Sequence, residues 1–165
     1  MAVRAYVGLG ANLGDPPVQL DAALIALDAQ PQICLRRRSR YWRSRAIGPQ
    51  PQPDYCNAVC SLETTLTPEA LLSVLLDLED AAGRTREQRW GPRVLDLDLL
   101  YVEGERRVTT RLTCPHPQLA RRPFVLVPLA EVAPTLVIPD LGAVAVLAAA
   151  CDRSELQPWD DTGSR

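Results

Sequence analysis

The stretch "VLDLDLLYV", Val94 to Val102, alternates apolar residues with two acids before it becomes wholly apolar. Successive side chains of a strand point to opposite faces, so this alternation predicts a β-strand with Asp96 and Asp98 on one face and leucines on the other. The two Asp Cα atoms would lie about 6.6 Å apart. Because Asp is unfavourable in strands, the pair raises the question of what two carboxylates do there.

Outward from this strand, the chain alternates strand and helix patterns in an order that predicts the fold class. The preceding elements are a strand over residues 3–9, a helix over 18–30 beginning after Asp15 and Pro16, strands over 33–42 and 55–66, and a helix over 68–83 with Thr67 as its N-cap. With the acid strand the order is β-α-β-β-α-β. This order predicts an α+β, ferredoxin-like sandwich with helices packed on one face of an antiparallel sheet.

The rest of the chain carries weaker patterns. Residues 46–54 read as an exposed, proline-rich loop, and residues 103–105 as the turn of a hairpin. Residues 114–134 predict a turn and a short helix, and residues 141–151 one more helix. Residues 153–165 read as a flexible tail. The expected organisation is a single domain over residues 1–165.

The composition of the 165-residue chain restricts its function. A net charge of −2 disfavours a general nucleic-acid binder, and no run approaches the roughly 18 apolar residues of a membrane span. The absence of lysine excludes a P-loop and a Schiff-base mechanism. The strand pattern begins almost at residue 1 with no signal peptide, so the expected location is the cytoplasm.

The cysteines predict no disulfide framework. Five are present, an odd number, and none forms a CxxC pair. Cys56 and Cys60 would sit about 13 Å apart along one strand, which is too far for a disulfide. The expected state is therefore that of buried, reduced thiols, as in a cytoplasmic protein.

The acid strand follows a loop with four arginines, at positions 84, 86, 89 and 93. A half-exposed strand face that meets water would explain the two acids alone. Together with the arginines, however, the acids predict a nucleotide–metal site. Mg²⁺ is usually held by one or two carboxylates plus substrate phosphates, and arginine pairs with phosphate oxygens. This combination is what phosphoryl transfer requires.

Two further groups of polar residues allow more than one interpretation. His116, the only histidine, lies near Arg121 and Arg122, so it is either structural or part of a second phosphate-binding corner. Residues 36–45, "RRRSRYWRSR", include six arginines. They form either a solvated strand face with its loop or, as the weaker alternative, an RNA contact on a ferredoxin-like sheet.

Four stretches, in the same order as in a known family, resemble 6-hydroxymethyl-7,8-dihydropterin pyrophosphokinase of the folate pathway. They are "GLGANLGD" (8–15), "GPQPQPDYCNAV" (48–59), "RWGPRVLDLDLLY" (89–101) and "PHPQLARRPFVLVPLAEVAP" (115–134). The resemblance implies transfer of the pyrophosphoryl group of ATP to the pterin hydroxymethyl group, with release of AMP. It also implies two Mg²⁺ ions bound by Asp96 and Asp98.

The resemblance assigns further roles residue by residue. The implied catalytic residues are Arg84, Trp90, Arg93, Asp96 and Asp98. The implied pterin-binding residues are Ser44, Ile47, Tyr55, Asn57 and Phe124, where two aromatic rings would cover the flat pterin and an amide would meet its edge. The implied ATP-binding residues are Glu79, Arg84, Arg93, Leu99, Arg111, Thr113, His116 and Arg122.

The chain departs from the family pattern at Ala11, Ser44 and Ala46, where Ser, Thr and Pro are more usual. The change at Ala11 is mild because backbone groups dominate in that turn, while Ser44 and Ala46 bear on the rigidity of the loop beside the pterin; none touches the metal acids. Two other functions fit the residues: a two-metal phosphohydrolase using the same acids, and a non-catalytic binder of RNA or of a small molecule. The expected partners are ATP and the pterin, without nucleic acid or membrane, and the expected state is a monomer.

Overall fold

The computed structural model describes residues 1–46, 51–83 and 94–159. The strands are β1 Val3–Ala11, β2 Ile33–Arg38, β3 Trp42–Ser44, β4 Tyr55–Thr64, β5 Asp96–Val102, β6 Arg107–Val108, β7 Thr113–Cys114, β8 Val137–Ile138, β9 Gly142–Ala143 and β10 Leu156–Pro158. The helices are α1 Pro16–Asp28, α2 Pro68–Ala81, α3 Pro123–Val132 and α4 Val144–Ala150, with a 3₁₀ turn at Leu119–Arg121.

Six strands form one sheet in which every pairing is antiparallel. The sheet runs β10-β3-β4-β1-β5, and β2 pairs with β4 beside β3. The four long strands therefore lie in the order β5-β1-β4-β2, with α1 and α2 as the two connections that the sequence predicts. The α+β class and the β-α-β-β-α-β order are confirmed.

The helix starts show how local sequence sets the elements. Thr67 caps α2 by accepting a hydrogen bond from Ala70 N–H at 3.1 Å, and Pro68 occupies the first turn, as predicted. Asp15 stands at the N-cap of α1 with extended backbone, but no side-chain cap hydrogen bond forms there. The buried faces of both helices carry leucines that complete a continuous core with β1, β4 and β5.

The prediction of helices on one face only was wrong, because α3 covers the opposite face from α1. The Tyr41 hydroxyl donates to Asp21 on α1. The indole N–H of the next residue, Trp42, donates to Glu131 on α3 at 2.6 Å. Successive side chains along an extended chain point to opposite faces, so the sheet lies between these two helices.

The expected single strand over 33–42 is divided into β2 and β3. Ser39 lies at the break and is 2% exposed. Its N–H donates to Val59 O at 2.8 Å, and its hydroxyl accepts from Val59 N–H at 3.0 Å. The side chain thus replaces a regular ladder bond, and the strand resumes at Trp42.

Two other expectations near the strand ends differ from the structure. The predicted hairpin through residues 103–105 does not form a ladder between β5 and the next strand, because β6 pairs with β7 instead. The predicted tail over 153–165 was wrong for residues 156–158, which form β10 and pair with β3. A strand of three residues is too short to leave a periodic signal in the sequence.

The arginine-rich stretch 36–45 is largely paired with carboxylates from elsewhere in the chain. The N–O distances are 3.0 to 3.8 Å in the pairs Arg36–Glu63, Arg38–Asp21, Arg40–Glu131, Arg43–Asp54 and Arg45–Glu155. These pairs favour the interpretation as a solvated strand face, because the carboxylates occupy guanidinium N–H groups that an RNA phosphate would need. Within the described ranges, no helix combines the length and hydrophobicity needed to cross a bilayer.

All five cysteines are free thiols, as predicted, but they are not all buried. Cys56, Cys60 and Cys114 are buried, while Cys34 is exposed on β2. Cys34 follows buried Ile33 on β2, so its side chain points to the opposite face of the strand, which is exposed there.

Candidate active site

The two acids lie on β5, which forms one edge of the sheet. They share a face of that strand, as the alternation predicts. Asp96 and Asp98 are half-buried, whereas Leu97 and Leu99 are 4% and 3% exposed. On the neighbouring strand β1, Gly10 is opposite Asp96, and another glycine is opposite Asp98. Residues directly opposite in an antiparallel pair share a face, and a Cβ at Gly10 would lie 3.4 Å from Asn57 Oδ1, so this glycine permits the close approach of the Asn57 amide.

The backbone between the two acids is held by a buried carboxyl group. Glu79 on α2 is 1% exposed, and its Oε2 accepts a hydrogen bond from Leu97 N–H at 2.7 Å. The bond ties the edge strand to α2 at the residue between Asp96 and Asp98. Sequence reasoning assigned Glu79 to ATP by resemblance, and the structure gives it this additional contact with the acid strand.

A cavity of about 330 Å³ opens beside the acids, between α2 and the segment around β7. Its lining includes Glu79, Asp96, Asp98, Leu99, Arg111, Thr113 and His116. Seven predicted nucleotide or metal residues therefore meet in one space, although β5 and residues 109–117 approach it from different parts of the chain. Their roles toward ATP stay predictions.

Arg111 is held at the cavity wall by a hydrogen bond from its guanidinium to Ser73 Oγ on α2. The Thr109 hydroxyl accepts from Leu112 N–H at 3.0 Å, which closes the short turn between β6 and β7. Thr109 and the next threonine also line the cavity. Sequence reasoning missed these two residues because a turn threonine has no distinctive spacing.

His116 is held by its backbone and by one ring nitrogen. Its N–H donates to Leu100 O at 2.8 Å, and Nδ1 accepts from Gln118 N–H at 3.1 Å. The ring proton of neutral His116 therefore resides on Nε2. Burial, reinforced by the positive charge of Arg122, lowers the pKa of His116, while the carboxylate of Asp96 acts in the opposite direction.

Arg122 lies between the acids and the predicted pterin residues. Its guanidinium Nη1 is 3.9 Å from Asp98 Oδ2, and its Cζ lies 5.6 Å from the centre of the Phe124 ring. Both Arg122 and Phe124 stand at the start of α3. One arginine at a helix start thus contacts a group from each of the two predicted substrate regions.

The predicted pterin residues Ser44, Tyr55 and Asn57 meet on strands β3 and β4. Ser44 is opposite Tyr55 in the register, and Asn57 Nδ2 donates to Ser44 Oγ at 2.7 Å. Asn57 is 5% exposed and also stands opposite Gly10, which in turn is opposite Asp96. The amide and the acid therefore belong to one row across the sheet.

Asn12 is a residue that sequence reasoning did not select. It is 2% exposed, and its Nδ2 donates to Gln52 Oε1 and Pro53 O, both at 2.9 Å. These bonds attach the proline-rich loop to the turn after β1. The asparagine within "GANLG" was a possible signal, because a buried amide in a turn commonly satisfies nearby backbone groups.

Four predicted site residues lie outside the described residues: Ile47, Arg84, Trp90 and Arg93. Among the described residues, no group of three or more His, Cys, Asp or Glu side chains could hold a metal ion. The two acids of β5 could still serve a metal whose other ligands come from a bound substrate, as is usual for Mg²⁺.

Most of the sequence matches a known protein family. The family model for 7,8-dihydro-6-hydroxymethylpterin-pyrophosphokinase (HPPK) matches residues 6–134. The 2-amino-4-hydroxy-6-hydroxymethyldihydropteridine pyrophosphokinase of Methylorubrum extorquens is 48% identical over 135 residues, covering 82% of this chain and 85% of that protein. The protein of the same name from Haemophilus influenzae is 46% identical over 145 residues, covering 88% and 91%.

Solved structures share the fold at much lower identity. A crystal structure of HPPK-DHPS in complex with substrates has a TM-score of 0.70 and 11% identity, covering 91% of this chain. The wild-type HPPK-DHPS of Plasmodium falciparum with pterin and p-hydroxybenzoate gives the same two values over 90% of this chain. The chain spans 43% and 42% of those longer chains, so the likeness concerns the fold of one part of them.

Proposed function

This chain belongs to the 7,8-dihydro-6-hydroxymethylpterin-pyrophosphokinase family, and on that premise we propose how it performs the family reaction. The chain is an ATP-dependent diphosphotransferase of folate biosynthesis. It transfers the pyrophosphoryl group of ATP to the hydroxymethyl group of 6-hydroxymethyl-7,8-dihydropterin and releases AMP. The observation that carries the proposal is the row in which Asn57, Gly10 and Asp96 stand side by side.

The cavity beside β5 is the proposed nucleotide site. Its volume of about 330 Å³ lies within the range of small-molecule pockets. Arg111 and His116 would bind the nucleotide from the cavity wall. Neutral His116 can donate one hydrogen bond from Nε2, because Nδ1 already accepts from Gln118 N–H. A neutral donor can bind a phosphate oxygen without the cost of charging a buried ring.

Asp96 and Asp98 would hold two Mg²⁺ ions when the site is filled with substrates. The pair fits this role because it supplies hard oxygen ligands on one strand face, and because Mg²⁺ completes its shell with phosphates and water. When bound, the ions would neutralise phosphate charge and favour attack by the pterin hydroxyl. Arg122, now 3.9 Å from Asp98, would then be available to bind a phosphate.

The acceptor would bind at the β3–β4 end of the site. Tyr55 and Phe124 would cover the pterin ring, and Asn57 would form hydrogen bonds to its polar edge. Ser44 fixes the amide orientation, since its hydroxyl accepts from Asn57 Nδ2. The usual family residue at this position, Thr, also has a hydroxyl, so the departure at Ser44 preserves the contact.

The test is AMP formation from ATP and Mg²⁺, with and without the pterin, in the wild type and in Asp96→Asn. We expect AMP only with the pterin, and a fall of at least about a hundredfold in Asp96→Asn, as for loss of a group that stabilises transition-state charge. The matched control is Asp77→Asn, which removes an exposed acid from α2. Phosphate release without pterin would support a phosphohydrolase instead.

We further propose that the protein acts as a monomer in the cytoplasm. Size-exclusion chromatography with light scattering tests the first point, and a mass of twice 18.1 kDa would contradict it. Fractionation of the source cells tests the second. The number of Mg²⁺ ions is obtained by titrating the protein with Mg²⁺ in the presence of a non-hydrolysable ATP analogue and counting the equivalents bound.

A further inference from the structure

The short strand β3 lies between the proposed pterin site and the segment that follows α4. On its inner side β3 pairs with β4 along its whole length, so that Ser44 stands opposite Tyr55. On its outer side it pairs with β10, where Leu156 stands opposite Ser44. Three residues of strand form few ladder bonds, so the position of β3 depends on both neighbours.

Trp159, directly after β10, extends the pairing with its backbone and adds one contact through its ring. Its N–H donates to Tyr41 O at 2.9 Å, just before β3 begins. The Arg43 guanidinium, from the middle of β3, lies over the Trp159 ring with Cζ 3.9 Å from the ring centre. This cation–π contact is short, and the Trp ring also packs partly buried against the core.

The strand that β10 contacts, β3, carries Ser44, one of the proposed pterin residues. Arg43, which contacts Trp159, is the chain neighbour of Ser44. The Ser44 hydroxyl accepts from Asn57 Nδ2 at 2.7 Å, and both residues are buried at 9% and 5% exposure. A shift of β3 would therefore reorient the Asn57 amide while leaving β5 and the nucleotide cavity in place.

We propose that Trp159 is a positioning residue for the pyrophosphoryl acceptor. It holds β3 against β4 so that Ser44 fixes the amide of Asn57, without itself touching either substrate. The inference rests on the proposed function. It predicts a selective defect, in which binding of the pterin weakens and binding of ATP does not, because the described ATP-side residues lie at the other edge of the sheet.

The variants are Trp159→Ala, Trp159→Phe and, as matched control, Gln157→Ala, which changes an exposed side chain of β10. We expect Trp159→Ala to raise KM for the pterin about tenfold with kcat nearly unchanged and KM for ATP within about twofold. Trp159→Phe retains a ring for Arg43 and should recover most of the loss. Gln157→Ala should resemble the wild type.

Hydrogen exchange provides a readout that does not depend on turnover. The peptide over residues 41–46 should exchange faster in Trp159→Ala than in Gln157→Ala, while the peptide over residues 96–102 keeps its protection. Equal KM values for the pterin in wild type and Trp159→Ala, or a matching rise in KM for ATP, would overturn the inference. A wild type without pterin-dependent AMP formation would instead remove the proposed function, and the exchange result would still report on β3.

Discussion

The hydrogen bond from Leu97 N–H to Glu79 makes the stability of the acid strand depend on one side chain of α2. Glu79→Leu keeps a side chain of similar size but removes the acceptor from Leu97 N–H. The Glu79 side chain is 1% exposed, so water cannot easily replace that acceptor. Glu79→Gln keeps an amide oxygen that can accept the same bond. Stability should therefore decrease in the order wild type, Glu79→Gln, Glu79→Leu.

The magnitude follows from the burial of the N–H group. A buried donor without an acceptor costs about 1–3 kcal/mol, and a leucine in place of the carboxyl group offsets part of this by adding apolar burial. We expect Glu79→Leu to lower the free energy of unfolding by about 1–3 kcal/mol, and Glu79→Gln by about half as much. For a protein of this size, each kcal/mol corresponds to about 2–4 °C in Tm.

The assay is urea unfolding followed by circular dichroism, with Asp77→Asn as the control because it changes an exposed acid on the same helix. The control should stay within ~0.5 kcal/mol of the wild type, the usual range for surface substitutions. A Glu79→Leu variant inside that same range would refute the argument that this bond holds β5.

Three further predictions concern other groups. At ten times its Kd, Mg²⁺ should raise the free energy of unfolding of the wild type by about 1.4 kcal/mol and that of Asp98→Asn by less. Equal increases in Tm for the two proteins would contradict a role for that acid. Because the pKa of His116 is lowered on folding, the unfolded chain binds its proton more tightly, so stability should fall as the pH decreases from about 6.5 through the folded pKa. His116→Gln should lose that part of the slope when unfolding free energies are measured between pH 5 and 8, and an unchanged slope would contradict it. Exposed Cys34 should react with a thiol reagent in the native protein, whereas Cys60, whose pKa burial raises to about 12, should react only after unfolding; mapping of the labelled peptides decides this.

The sequence was sufficient to predict the long elements and the orientation of the acids. The alternation around Asp96 and Asp98 has a period that only a strand satisfies, and α2 has both an N-cap threonine and a proline at its start. Such signals are local, so they can be interpreted without knowing what packs where. The α+β class followed from the order of these elements alone.

The features that the sequence did not reveal depend on contacts between distant residues. Glu79 meets Leu97 across a long separation, and the carboxylate partners of residues 36–45 come from α1, β4 and α3 as well as from nearby loops. The strand β10 exists because the outer edge of β3 offers unpaired backbone groups, a property of the folded sheet. Neither kind of contact produces a periodic pattern.

The row formed by Asn57, Gly10 and Asp96 has a consequence for substrate size. Two neighbouring cross-strand pairs separate the outer Cα atoms by about 10 Å, and the hydrogen bonds between the three strands hold this separation. In the proposed binding mode, a pterin ring at Asn57 would present its side arm to the acids only if that arm has the right length. If Asn57 and Asp96 hold the two substrates as proposed, an analogue with one additional methylene before its hydroxyl should bind but should place that oxygen beyond the reacting phosphorus.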